Sequence, residues 1–310
     1  MYTVNEELFG KDPKIQKAVN VAKNVSVTKA PVLIIGEVGV GKRALATYIH
    51  QNSSRAEKPL EIVDCSSDPQ KVENDILGFR DESTGRFNKG AFELANKGTV
   101  ILANIDSLEE DFQKRIHQIL GELEDYDIDL RIIATTTKNL SKLVGSGRFY
   151  RGLYTLVSSN SITLSPLRER VHDLEMMAKM FIDGFSSDSE FTATNSAMDK
   201  ILNHYWTHNI KELKAVLENS MQNCNSNLLT EADLEIGEKK AVSMINEEEN
   251  EGIRLMSIKE AEKLLIQKAL IHTSENRTQA AKILGVSIRT LRNKINEYRN
   301  GENAYFVNLR

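Results

Sequence analysis

Two short stretches hold the residues whose types and spacing suggest chemistry. The first is GEVGVGKR at 36–43, with Gly36, Gly39 and Gly41 ahead of Lys42. Glycines so spaced let backbone N–H groups turn inward with no Cβ in the way. A lysine opening the next helix then meets an anion where the helix N-terminus already favours one. The pattern G-x-x-x-x-G-K is that of a phosphate-binding loop. Glu37, Val38 and Val40 fill it, and Arg43 stands where a Ser or Thr usually holds Mg²⁺. The competing reading is a structural Gly-rich turn. The second stretch is GTVILANID at 98–106, an apolar strand ending in Ala103 and Asn104. A later strand in a nucleotide hydrolase usually ends in two acids. Asn can position a water but cannot take its proton, and losing a general base slows such a reaction by about 10²–10⁴-fold. The nearest acids are Asp64 and Asp106, and Asp106 comes two residues after Asn104.

These residues need a scaffold, and the chain supplies its signals. PVLIIG (31–36), LEIVDC (60–65), TVILANI (99–105) and LRIIATT (130–136) are β-rich runs separated by helical stretches. The helical KRALATYIHQNS (42–53) follows the loop, and EEDFQKRIHQILGEL (109–123) puts Phe112, Ile116, Ile119, Leu120 and Leu123 on one face. Strands alternating with helices predict an α/β core with a parallel sheet covered on both faces. From 166 to 224 the pattern turns helical, which predicts a small lid containing Trp206 as a core anchor.

The chain has 310 residues, 40% hydrophobic and 27% charged, as expected of a soluble multidomain protein. No apolar run approaches the roughly 18 residues of a membrane span, and the acidic, polar start lacks a signal-peptide pattern. A cytoplasmic protein with no membrane partner is expected. Cys65 and Cys224 have no metal-type spacing and are expected as reduced thiols; the six histidines offer no ligand pair. The net charge of −4 conceals an asymmetry: residues 252–310 carry 11 Lys/Arg and 5 Asp/Glu, a net of +6, leaving −10 for the rest. One basic end on an acidic body suggests one DNA-binding end.

That end is SIKEAEKLLIQKALIHTSENRTQAAKILGVSIRTLRNKINEYR, 257–299. Ser257 and Glu260 make a capping box, Ala280 and Ala281 permit close packing, Gly285 turns the chain and Ser287 caps the last helix. Ile288, Leu291 and Ile295 are expected to face the core. Arg289, Thr290, Arg292, Asn293 and Lys294 then include the outward face of a helix that fits a major groove. Arg277, Thr278, Lys282 and Ser287 join the candidate DNA contacts, Arg277 and Lys282 as phosphate ligands. A dimerisation hairpin with a solvated basic face is the alternative.

With these blocks in order, the chain resembles the AAA+ activators of sigma-54 RNA polymerase, the bacterial enhancer-binding proteins, over nearly its whole length. LFGKDPKIQKAV looks like their opening strand and helix. GEVGVGK matches their GESGTGK, GTVILANID their GTLFLDEI, LRIIATTTKNL their sensor strand, GRFYRGLY their GRFREDLY, LSPLRERVHDL their LPPLRERxxDI, and YWTHNIKEL their YxWPGNVREL. The tail resembles their Fis-type helix-turn-helix. The resemblance implies ATP or ADP as cofactor, with Lys211 in the place of an arginine that senses it. It implies RNA polymerase and double-stranded DNA as partners, with a near-palindromic site read by a C-terminal homodimer. It also implies a higher homo- or hetero-oligomer through the AAA+ part; because the core begins within the first ten residues, no sensory domain is expected ahead of it. The expected domains are an α/β subdomain (1–164), a helical lid (165–236), a linker (237–256), the DNA-binding unit (257–299) and a tail (300–310).

The departures from the family matter as much. Ala103 and Asn104 replace its Asp-Glu, which puts Mg²⁺ in doubt, and Asp64 replaces the Asn that restrains that Glu. The alternative to a lost base is an exchange of acid and amide between Asp64 and Asn104. Tyr150 and Leu156 replace the arginine fingers, with Arg151 one step away as a stand-in, and Thr137 replaces the sensor Asn. The apolar loop that meets the sigma factor is replaced by DESTGR (81–86), about three residues shorter, and KGAF (89–92) falls at a different position. The expectation is a DNA-binding regulator that binds nucleotide and hydrolyses it poorly or not at all. The alternatives are an active ATPase using Asp64 or Asp106 with Arg151, and a platform that senses another nucleotide or pairs with an active relative.

Overall fold

The computed structural model describes residues 10–81, 83–185, 191–224, 226–236 and 277–299, with positions 262, 265, 266, 269, 270 and 273 between. The expected opening strand, the linker, the 257–260 capping box and the tail lie outside the described residues. The chain divides into two units, Met1–Ala241 and Val242–Arg310.

The first unit is built on a five-stranded parallel sheet, β1 (Val32–Ile35), β2 (Leu60–Asp64), β5 (Thr99–Ala103), β6 (Arg131–Thr136) and β7 (Asn160–Thr163), in the order β2-β5-β6-β1-β7. Alternation along the strands feeds two cores. Leu33, Val100, Leu102, Ile132 and Ala134 point to one face; Val32, Ile34, Ile101 and Ile133 point to the other. The second face is covered by α1 (Pro13–Ser26) and α2 (Lys42–Gln51), through Ile15, Val19, Leu45 and Ile49. The first face receives α3 (Pro69–Leu77), α4 (Ala91–Leu94), α5 (Glu110–Glu122), α6 (Leu140–Gly145) and α7 (Arg151–Val157). Both faces are buried, which explains the near-continuous apolar runs of the inner strands.

Between α3 and α4 the chain makes a hairpin of β3 (Gly78–Arg80) and β4 (Phe87–Lys89). After β7 come three helices of the lid, α8 (Val171–Phe185), α9 (Asn195–Asn203) and α10 (Asn209–Asn223), packed around fully buried Trp206. Trp206 donates its indole N–H to the Ile201 carbonyl at 2.9 Å. Among the described residues, no helix is long and apolar enough to cross a membrane.

In the second unit, helices Arg277–Ile283 and Ile288–Arg299 pack through Ala280, Ala281, Leu291, Ile295 and Tyr298 against Ile266, Ala269 and Leu270. Gly285, at φ +67°, makes the turn, and the Val286 N–H closes it on the Ala281 carbonyl at 3.0 Å. Ser287 Oγ accepts the Thr290 N–H at 3.0 Å, as its capping role requires. Ile288 departs from expectation: it is 38% exposed. It sits directly after the cap, one turn before Leu291 and two before Ile295, where the helix face has not yet reached the core.

Candidate functional site

The phosphate loop runs from the end of β1 to the start of α2. Gly41 adopts the left-handed conformation (φ +104°) as the cap of α2, with no side chain on the first free N–H groups. Those donors therefore point at whatever anion enters. Gly39, at φ +75°, is pressed against the lid; a Cβ there would run into the His208 carbonyl oxygen. Lys42 folds over the loop and donates to the carbonyls of Gly36 (2.7 Å) and Glu37 (2.9 Å). Burial pushes its pKa down, opposed by the charges of Asp106 and Glu37.

The loop faces the carboxyl ends of β2, β5 and β6 across a cleft of about 420 Å³. Ligand crevices of open α/β sheets lie outside these strand ends. Its walls bring together most of the residues selected from the sequence: Val38, Gly39, Gly41, Lys42, Arg43, Asp64, Asn104 and Lys211, with Ala103 and Thr135. Asn104 adopts a left-handed backbone (φ +55°) at the end of β5 and donates its side-chain amide to Asp64 at 3.0 Å. Asp64 also accepts from Ser66 N–H (3.0 Å) and Oγ–H (2.7 Å). Burial alone would raise its pKa. The hydrogen bonds from Ser66 and Asn104 and the charge of Arg43 outweigh burial and hold it below its ordinary value.

Five selected residues point elsewhere. Gly36 and Val40 form the loop's inner side, Val40 in the core at 2% exposure. Glu37 turns to the lid, and its carboxylate pairs with both Nη atoms of Arg168 at 2.6 and 2.5 Å. Asp106, whose side chain is 3% exposed, accepts from Thr136 Oγ1 at 2.7 Å and pairs with Lys138 at 3.7 Å. Arg151 starts α7 as an exposed residue, away from this cleft.

Sequence reasoning missed Asn209. This buried residue, at φ +54°, donates to the Val38 carbonyl (2.9 Å) and to Glu37 (3.2 Å) and accepts the Leu167 N–H (2.7 Å). With Arg168 it fastens the lid to the phosphate loop. The signal was the Asn that survives in THNIKEL although the residues before it have changed.

The β3–β4 hairpin has a compact tip. Asp81 accepts from Ser83 Oγ–H and N–H and from the Thr84 N–H; these bonds lower its pKa to about 2. Phe79 and Phe87 are exposed on its strands, whereas Ala91 and Phe92 of KGAF are buried in the core. In the second unit Thr278, Arg289, Thr290, Arg292 and Asn293 are exposed and Arg277 is half-buried. The backbone of Lys282 is helical, and its side chain lies outside the described residues. Lys294 does not face outward freely: its ammonium pairs with Glu262 at 2.9 Å, beside the Tyr298 hydroxyl that donates to the same carboxylate. It follows Leu291 by three residues and precedes Tyr298 by four, which places it on the packed side.

A glycine-lined loop feeding a lysine-headed helix, at the carboxyl end of a β2-β5-β6-β1-β7 parallel sheet and closed by a helical lid, defines a P-loop domain of the AAA+ type. The family comparisons extend this. Residues 8–163 match the sigma-54 interaction domain, 168–250 the AAA+ ATPase lid domain and 257–298 the bacterial regulatory proteins of the Fis family. The chain belongs to the sigma-54-dependent transcriptional regulators with a Fis-type DNA-binding helix-turn-helix. It is 29% identical to the response regulator protein PilR of Pseudomonas aeruginosa, over 94% of this chain and 69% of that one. It is 30% identical to the transcriptional regulatory protein FlbD of Caulobacter vibrioides, over 93% and 69%. A crystal structure of NtrX from Brucella abortus in complex with ATP superposes with a TM-score of 0.66 at 22% identity, covering 95% of this chain and 69% of that one.

Proposed function

We propose that this regulator binds ATP or ADP in the cleft beside Lys42 and hydrolyses it slowly or not at all, so that its AAA+ body acts as a nucleotide-bound oligomerising platform for DNA binding. One observation carries the reading. β5 delivers Ala103 and Asn104 to the cleft, where a neutral methyl and an amide stand in place of two acids. The ATP complex of the NtrX relative supports nucleotide binding in this fold. The phosphate ligands are the N–H groups from Gly36 to Arg43, including those of Glu37, Val38, Gly39, Val40 and Gly41, with the ammoniums of Lys42 and Lys211. Asn104 holds a water without deprotonating it.

The DNA-binding unit contacts duplex DNA through Arg289, Thr290, Arg292 and Asn293, with Arg277, Thr278 and Lys282 on phosphates and Ser287 capping the reading helix. A homodimer of this unit on a near-palindromic site, in the cytoplasm, completes the picture. The compact, acid-closed hairpin tip lacks the apolar loop of the family, so contact with RNA polymerase takes a different form from standard remodelling.

The test is Mg-ATP turnover of the purified protein beside the double variant Ala103→Asp, Asn104→Glu. Negligible turnover with ATP still bound, and a gain in the variant, supports the platform. Robust native turnover sinks it. A second reading, a divergent active ATPase, is favoured by the bond between Asn104 and Asp64. There the acid and amide have exchanged places and Asp64 is the base, with Arg151 serving a neighbouring subunit.

A further inference from the structure

The cleft's donor set does not suit a divalent cation. Mg²⁺ takes hard oxygen ligands in near-octahedral geometry and is usually bound through one or two carboxylates plus substrate phosphates. Here Arg43 stands where the hydroxyl after Lys42 is needed, Ala103 ends β5 and Asn104 follows it. Asp64 is the one acid lining the cleft among the described residues, and its Oδ1 already accepts three hydrogen bonds, from Ser66 and Asn104, which leaves a cation one carboxylate oxygen, Oδ2. The Thr135 hydroxyl accepts the Asn104 N–H at 3.2 Å. Among the described residues no group of three His, Cys, Asp or Glu side chains is placed to hold a metal ion.

The same walls carry three cations, Lys42, Arg43 and Lys211, against that one carboxylate. Arg43 is exposed on the first turn of α2 and lies close enough to Asp64 for its charge to act on that carboxylate. A guanidinium presents a planar fork of donors that matches phosphate oxygens and stays charged at every physiological pH. We propose that the cleft holds a nucleoside di- or triphosphate without a divalent cation, the Arg43 guanidinium neutralising the phosphates in the metal's place. This rests on the nucleotide-binding reading above and adds to it a metal-free mode.

Equilibrium dialysis of the full chain with ADP and with ATP, in excess Mg²⁺ and in excess EDTA, tests it. The expected result is binding in both buffers, with Kd values within about threefold of each other. Arg43→Ser restores the hydroxyl. It should weaken binding in EDTA about tenfold or more, the factor for losing one charge-assisted hydrogen bond, and weaken it less in Mg²⁺. The exposed position of Arg43 keeps folding out of the comparison, and circular dichroism checks this. Binding in Mg²⁺ that is lost in EDTA overturns the metal-free mode and leaves the nucleotide reading standing. Unchanged affinity of Arg43→Ser in EDTA overturns the role of Arg43. No binding of either nucleotide in either buffer overturns the nucleotide reading itself.

Discussion

The side-chain amide of Asn104 lies 3.0 Å from the carboxylate of Asp64, donor to acceptor, across the seam where β5 pairs with β2. Against burial, which alone would raise it, the Ser66 hydrogen bonds and then this one hold the pKa of Asp64 below its ordinary value, and the bond turns this acid of the cleft wall toward an amide. A charge so placed repels the phosphates that Lys42 and Arg43 attract. Asp64→Asn should therefore tighten ATP binding by about fivefold, the effect of removing about 1 kcal/mol of screened like-charge repulsion. Isothermal titration gives the affinity. If Asp64 is instead the base of an active enzyme, the same variant loses its turnover, which a phosphate-release assay detects.

The clasp between loop and lid gives a pH-dependent prediction. The hydrogen bond from Arg168 lowers the pKa of Glu37 below its ordinary 4.5; burial opposes this, and Asn209 and the charges of Arg168 and Lys42 add to it. A carboxyl with a depressed folded pKa contributes stability that is fully present above 4.5 and lost as pH falls through the folded value. The pair is partly exposed, so its worth is discounted to about 1 kcal/mol. Urea unfolding of Glu37→Gln should show that deficit at pH 7. The difference from the native protein should shrink at the lowest pH at which both still fold. An equal deficit at both pH values would point to packing as its cause.

What was legible in the sequence follows from how the structure is stabilised. β1, β5 and β6 are buried on both faces, so their apolar runs stand out. β7, Asn160–Thr163, buries only Ile162 among its four residues, and an edge strand so polar gives no run to read. The hairpin strands Gly78–Arg80 and Phe87–Lys89 are three residues each, below any periodic signal. At the site, the loop could be read because its glycines and lysine are contiguous. The bonds of Asn209 to Glu37 and Val38 join positions more than 170 residues apart, and no local pattern encodes them. Lys294 misled for a related reason. Its charge suggested an outward face, and Glu262, 32 residues earlier in the chain, draws it inward.

The two thiols should differ sharply in reactivity. Cys65 follows β2 at 2% exposure, and burial, helped by the nearby charges of Asp64 and Asp106, pushes its thiol up to about 12. Cys224 is half-buried after α10. Because the thiolate is the reactive form, Cys65 should react with a disulfide reagent at pH 8 at least a hundredfold more slowly than Cys224 in the folded protein. Both should react promptly in urea. Two fast thiols in the native state would mean that β2 and β5 part readily at the cleft.

Arg292 and Lys294 stand two residues apart on the last helix, and the structure separates their roles. Arg292 is exposed, while Lys294 pairs with Glu262 beside Tyr298. A lysine that neutralises a DNA phosphate releases a counterion, and each such contact adds about 0.9 to the slope of log K against log salt. Arg292→Ala should therefore weaken binding to a duplex. Where Arg292 holds a phosphate, the variant also flattens that slope by about one; where it reads a base edge, the slope stays and about 1–3 kcal/mol of sequence preference is lost. Lys294→Ala should leave the slope unchanged. It should instead lower the stability of the second unit by about 1 kcal/mol, the upper end for a partly exposed ion pair. Fluorescence anisotropy across a salt series, with thermal melts of the same proteins, separates the two effects. A flattened slope for Lys294→Ala would mean that Lys294 leaves Glu262 for the DNA.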